Sequence, residues 1–130
     1  MHEVTAAAGK APGHRVRLIV ALAVVLVASV AVLTWPRTTT VKTMTATERY
    51  GEDGGHVAVL KHVHAPLGID HWVVVMGRDP GGGYGHRVRL EATGVDPSSV
   101  AVEWTQDDAT LVYGTGHRVT VPARFFTGGR

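Results

Sequence analysis

The 130-residue chain contains no cysteine, which excludes a disulfide frame, a thiolate metal site and a thiol nucleophile. Serine is almost as scarce. Ser98 and Ser99 are the only serines beyond the N-terminal third, and neither stands in a nucleophile elbow. Asp107 and Asp108 are adjacent in a turn-forming stretch, where acidic residues are expected for turn formation alone. No catalytic, nucleotide or cofactor motif is recognisable, so an enzyme is not expected and no cofactor is assigned. Asparagine is absent and lysine occurs three times against ten arginines, while Val, Gly and Ala dominate. That bias follows a GC-rich genome and points to a bacterial source rather than to an activity.

Positive charge is also missing where nucleic-acid binding would need it. Residues 37–130 carry ten Lys and Arg against ten Asp and Glu. The excess lies at the start, where Lys10, Arg15 and Arg17 face only Glu3. A neutral domain lacks the electrostatic footprint that binding to phosphate backbones requires, so DNA and RNA are set aside as partners.

What the chain does have is one long hydrophobic run. Leu18 to Trp35 reads LIVALAVVLVASVAVLTW without a charge. As a helix it spans about 27 Å, near the hydrocarbon thickness of a bilayer. Arg17 can snorkel at one end and Trp35 suits the interface at the other, and Pro36 stops the helix. A buried core helix would show a polar face, and this run is apolar all round. The reading is a basic cytoplasmic tail (1–17), a transmembrane helix (18–35) that contacts the lipid bilayer, a short stalk (36–40) and an extracytoplasmic β-domain (41–130). The alternative is a signal peptide, cleaved at the small residues around Ser29-Val30-Ala31, which would release a secreted domain. The arginines nearest the membrane lie on its N-terminal side, so the N-terminus is expected inside and the domain outside.

Beyond the run, the hydrophobic pattern has period two. Val88, Leu90 and Ala92 alternate with Arg87, Arg89 and Glu91; Val100, Val102 and Trp104 alternate with Ala101 and Glu103. A first strand is expected near Val41, with others at 56–64, 71–77, 86–92, 99–105, 109–113 and 117–122. Clusters rich in Gly, Pro and Asp separate them, each suited to reversing the chain. Short strands about ten residues apart, with no amphipathic helix between them, predict an all-β fold: a small antiparallel β-sandwich or barrel. His71 to Met76 is apolar at both parities, which predicts a central strand covered on each face.

Histidine is the one enriched reactive type, with eight in the chain and six in the domain. His62 and His64 lie two apart on an expected strand, so their rings share a face. His56 has the same parity, and Asp70 and His71 open the next strand. A hairpin of 56–64 with 71–77 would bring His62 or His64 near Asp70 or His71, a nitrogen and oxygen set suited to zinc or copper(II). The competing reading makes these surface histidines on a strand whose other face, Val57, Val59 and Val63, is the buried one.

The run Arg78 to Gly85, RDPGGGYG, lacks the Gly-Lys-Ser/Thr ending of a phosphate loop and precedes a strand pattern. It reads as a flexible hairpin loop, with Tyr84 at its tip as a candidate partner contact. The segment Val102 to Leu111, VEWTQDDATL, resembles the strand–turn–strand element of small single-pass bacterial envelope proteins of uncharacterised function. The resemblance covers ten residues and implies a hairpin with no catalytic group. Two functions remain: a membrane-anchored, non-catalytic binding module with an envelope protein as partner, or a tethered metal-binding domain using surface histidines.

Overall fold

A computed structural model describes residues 13–52, 54–90, 96–114 and 116–128. The chain divides into two units, Met1–Trp35 and Pro36–Arg130.

The first unit holds one helix, α1 (His14–Leu33). Its twenty residues extend about 30 Å, and by length and composition it can cross a membrane. None of its side chains is buried against protein, which separates it from the core helix of a soluble fold. It starts four residues before the uncharged run, because Arg15 and Arg17 are good helix formers and a charge does not end a helix. It ends two residues before Trp35. There the Thr34 N–H and hydroxyl both bond the Val30 carbonyl, at 2.9 and 2.8 Å. Within the helix the Ser29 hydroxyl donates to the Val25 carbonyl at 2.8 Å, so its one polar hydrogen is satisfied internally.

The second unit is two antiparallel sheets. β1 (Arg37–Thr45), β2 (Val57–His64), β3 (His71–Gly77) and β4 (His86–Leu90) form the first, each paired with its neighbour in sequence. A 3₁₀ turn at Pro97–Ser99 leads into the second: β5 (Ala101–Trp104), β6 (Asp108–Tyr113) and β7 (His117–Pro122), again in sequence order. A four-residue helical turn, α2 (Arg124–Thr127), follows. No strand of one sheet pairs with a strand of the other among the described residues. The fold is therefore sandwich-like, and the barrel alternative is set aside.

The core lies between the sheets. Ala58, Leu60, Val74, Met76 and Leu90 from the first meet Ala109, Leu111, Tyr113 and Val121 from the second. Cross-strand partners share a face, and the registers Ala58↔Met76, Leu60↔Val74 and Trp72↔Leu90 align the apolar residues. Tyr50, from the β1–β2 connection, and Phe126, from α2, close one end with rings 5.1 Å apart, edge to face.

Three features depart from the sequence reading. The stalk at 36–40 is already strand: Arg37 to Thr40 pair with His64 to Lys61, and a bulge between Thr40 and Lys42 shifts the register. Threonine and valine favour the extended backbone, and β2 is long enough to pair with all of them. β2 is also buried on both faces over Val57 to Leu60, not on one alone. Its core face carries Ala58 and Leu60, and His56 just ahead of it is buried; Val57 and Val59 are buried on the opposite face, and Val63 is only half-buried. Lastly, the glycine-rich loop is packed rather than free. It folds over the outer face of the first sheet, bringing Gly82 so close that a Cβ there would sit 2.8 Å from Val59 Cβ. Glu91 and Ala92, the end of one expected strand, lie outside the described residues, as do residues 1–12.

Candidate functional site

Two places concentrate chemistry, at different parts of the domain. The first is the turn end of the β2–β3 hairpin. Antiparallel pairing of His62 with Trp72 stacks their rings at 4.6 Å. The Asp70 carboxylate receives both neighbouring histidines on one oxygen, His64 Nδ1 at 2.8 Å and His62 Nε2 at 3.4 Å. Its other oxygen accepts the Ala65 N–H at 3.0 Å. The His64 hydrogen bond, then the Ala65 bond, hold the Asp70 carboxyl below its usual range.

The remaining two histidines of the candidate metal set are elsewhere. His71 is the register partner of Val63, so it belongs to the opposite face of the sheet from His62 and His64. Its Nδ1 lies 3.3 Å from the Ile69 carbonyl. His56 is six residues from His62 along an extended chain, about 20 Å at 3.3 Å per residue. It is 1% exposed, with Tyr50 and Phe126 rings at 5.3 and 6.1 Å. Neither His56 ring nitrogen has a hydrogen-bond partner. Burial, then the Arg78 charge, push its pKa down, so the ring is held neutral. Of the five candidates, the structure brings together His62, His64 and Asp70 alone. Among the described residues, no group of three or more His, Asp or Glu takes up a metal-holding arrangement.

The second place is a cleft of about 350 Å³ between the glycine-rich loop and α2. Asp79 builds its near wall. The carboxylate accepts the N–H groups of Gly81 at 2.9 Å, Gly83 at 2.8 Å and Tyr84 at 3.2 Å, and those bonds hold its pKa below the usual carboxylate range. The loop this fixes has left-handed Gly82 and a Gly85 whose φ of +146° only glycine adopts comfortably. Tyr84 is thereby presented at 64% exposure.

α2 builds the far wall. The Phe125 ring, 51% exposed, stacks on His86 at 5.3 Å. The Arg124 guanidinium lies 5.0 Å from the Phe125 centroid, a cation–π contact that keeps a charge beside the ring. Phe126 turns inward as the floor, 5% exposed. Arg78 and Asp79 also line the cleft. Asp79 stays ionised under its backbone donors and Arg78 adjoins it in the lining, so apolar walls carry a border with charges of both signs.

Tyr84 was legible in the sequence as a loop-tip aromatic; His86, Phe125 and Phe126 were not. The available signal was that the chain's only two phenylalanines are adjacent near the C-terminus, in a segment without strand alternation. Searches among protein families, characterised proteins and solved structures find no match to this chain.

Proposed function

We propose that the protein is a non-catalytic binding module, held at a membrane by α1, whose β-domain receives a segment of an envelope protein in the cleft beside Tyr84 and Phe125. The observation that carries this reading is the cleft itself. Two half-exposed or more exposed aromatic rings flank about 350 Å³ of space above a buried phenylalanine floor. Such rigid aromatic walls contribute large contact area at low entropic cost when a partner side chain enters. The apolar walls favour a partner segment that inserts an apolar or aromatic residue between the two rings. The reading assigns the domain no chemistry of its own.

The test is site-specific photo-crosslinking in native cells. A photoreactive phenylalanine at position 84 should capture one protein that the same group at exposed Ala101 does not, and Phe125→Ser should abolish that adduct. Equal capture from both positions, or capture indifferent to Phe125→Ser, would overturn the assignment.

A further inference from the structure

The tip of the β2–β3 hairpin presents the two most exposed large apolar side chains among the described residues of the domain. Leu67 and Ile69 are each 82% exposed. They are not on a loose loop. A turn is closed by the Gly68 N–H on the Ala65 carbonyl at 2.9 Å, and Pro66 fixes φ within it. Asp70 clamps the base, bonded to the Ala65 N–H at 3.0 Å and to His64 at 2.8 Å. The same carboxylate reaches His62, whose ring is stacked on Trp72. Two aliphatic side chains are thus held outward by a braced scaffold, which in water alone costs solvation free energy without return.

The register tells which end of the domain this tip occupies. Arg37, the first residue of β1, is paired with His64, the last residue of β2. β1 leads away from the point of chain entry, and β2 returns antiparallel to it. The loop after His64 therefore projects past Arg37, at the end where Pro36 alone separates the domain from Trp35. Trp35 is itself an interfacial residue type. The polar groups near the tip suit a headgroup layer as well: His62, His64 and the Ala65 N–H engage the Asp70 carboxylate, Arg37 stands in register with His64, and His71 opens the next strand.

We infer that the Pro66–Ile69 tip seats in the headgroup layer of the same membrane that α1 spans, so that the domain is fixed to the bilayer at two points rather than tethered by the helix alone. This rests on the anchored reading proposed above. Leu67 and Ile69 enter the boundary between headgroups and acyl chains, while Arg37 and the histidines face lipid phosphates.

The absence of cysteine makes the test clean. Single substitutions Ile69→Cys, Thr45→Cys and Leu26→Cys in the full chain each carry a nitroxide label, and the protein is reconstituted in phosphatidylcholine and phosphatidylglycerol vesicles. Thr45 is exposed at the other end of β1, opposite Val57. The label at 69 should show a several-fold higher ratio of oxygen to nickel-chelate accessibility than the label at 45. The label at 26 reports the anchor. If 26 is in lipid and 69 matches 45, the tip inference fails while the anchor stands. If 26 is in water, the anchored reading fails and takes the inference with it. Spin–spin broadening confined to 69 would place a second copy of the chain on the tip and overturn the membrane assignment.

Discussion

The Tyr50 hydroxyl donates to the Thr105 carbonyl at 2.5 Å, and the Asp108 carbonyl lies 3.2 Å from the same oxygen. Tyr50 belongs to the connection between β1 and β2, whereas Thr105 and Asp108 flank the β5–β6 turn. One side chain therefore fastens the first sheet to the second, with its ring packed against Phe126, Trp104 and His56.

Replacing Tyr50 by Phe keeps the ring and deletes this tie. A buried hydrogen bond of this kind contributes about 1–2 kcal/mol, so urea denaturation followed by tryptophan fluorescence should show a loss of that size. Burial, then Glu48 and Asp108, raise the Tyr50 pKa above 10.0. Above pH 10.0 the unfolded chain releases a proton that the folded one retains, so wild-type stability should fall there and the Phe variant should fall less.

His56 predicts a loss of stability on the acid side. Its pKa lies below 6.5 in the fold. Below pH 6.5 the unfolded chain binds a proton that the buried ring does not, so this contribution is complete above that pH and declines as pH falls. His56→Phe should flatten the melting temperature between pH 7 and pH 5. An unchanged slope would show that the acid sensitivity lies elsewhere.

The glycine-rich loop should tolerate almost no side chain at its hairpin-closing position. A Cβ on Gly85 would fall inside contact distance of the Met76 carbonyl oxygen, in addition to the cost of the backbone conformation. Gly85→Ala should destabilise by about 3 kcal/mol. Gly51 also has positive φ, but its Cβ would meet nothing within 4 Å, so Gly51→Ala should cost about 1 kcal/mol. Comparing denaturation midpoints of the two variants separates crowding from backbone strain.

Asp79 should govern the order of the cleft wall. Asp79→Ala removes the acceptor for the Gly81, Gly83 and Tyr84 amides, and hydrogen exchange at Gly83 and Tyr84 should accelerate while that in β6 is unchanged. The wild-type loop should loosen similarly in acid. The folded Asp79 pKa is depressed below 3.8, so its contribution is present above that value and lost as pH falls through the folded pKa.

Much of the fold was legible because its determinants are local. The alternation of Val88 and Leu90 with Arg87 and Arg89 fixes which face of β4 is buried, and the structure leaves both arginines exposed. The same holds for Val102 and Trp104 against Ala101 and Glu103. β2 resisted because both of its parities are apolar over Val57 to Leu60. Period-two logic cannot choose between two apolar faces; what covers each face decides, and that cover comes from β6 and from the glycine-rich loop. Among the candidate site residues, the meeting of His64 with Asp70 follows from hairpin pairing alone, since six residues separate them. The separation of His71 follows from its register with Val63. The burial of His56 required Tyr50 and Phe126, which approach from six residues earlier and seventy later.

The sequence by itself determined an apolar helix long enough for a membrane, strands and turns in near-correct order, and an uncysteined, electrically neutral domain. Each of these depends on residues within a few positions of one another. Only the tertiary structure decided that the strands form two separate sheets, that Tyr50 ties them together, and that Tyr84 and Phe125 flank one cleft. Those relations join residues 40 to 60 positions apart. They depend on which apolar surfaces exclude water together, a property of the whole packed core that no local pattern encodes.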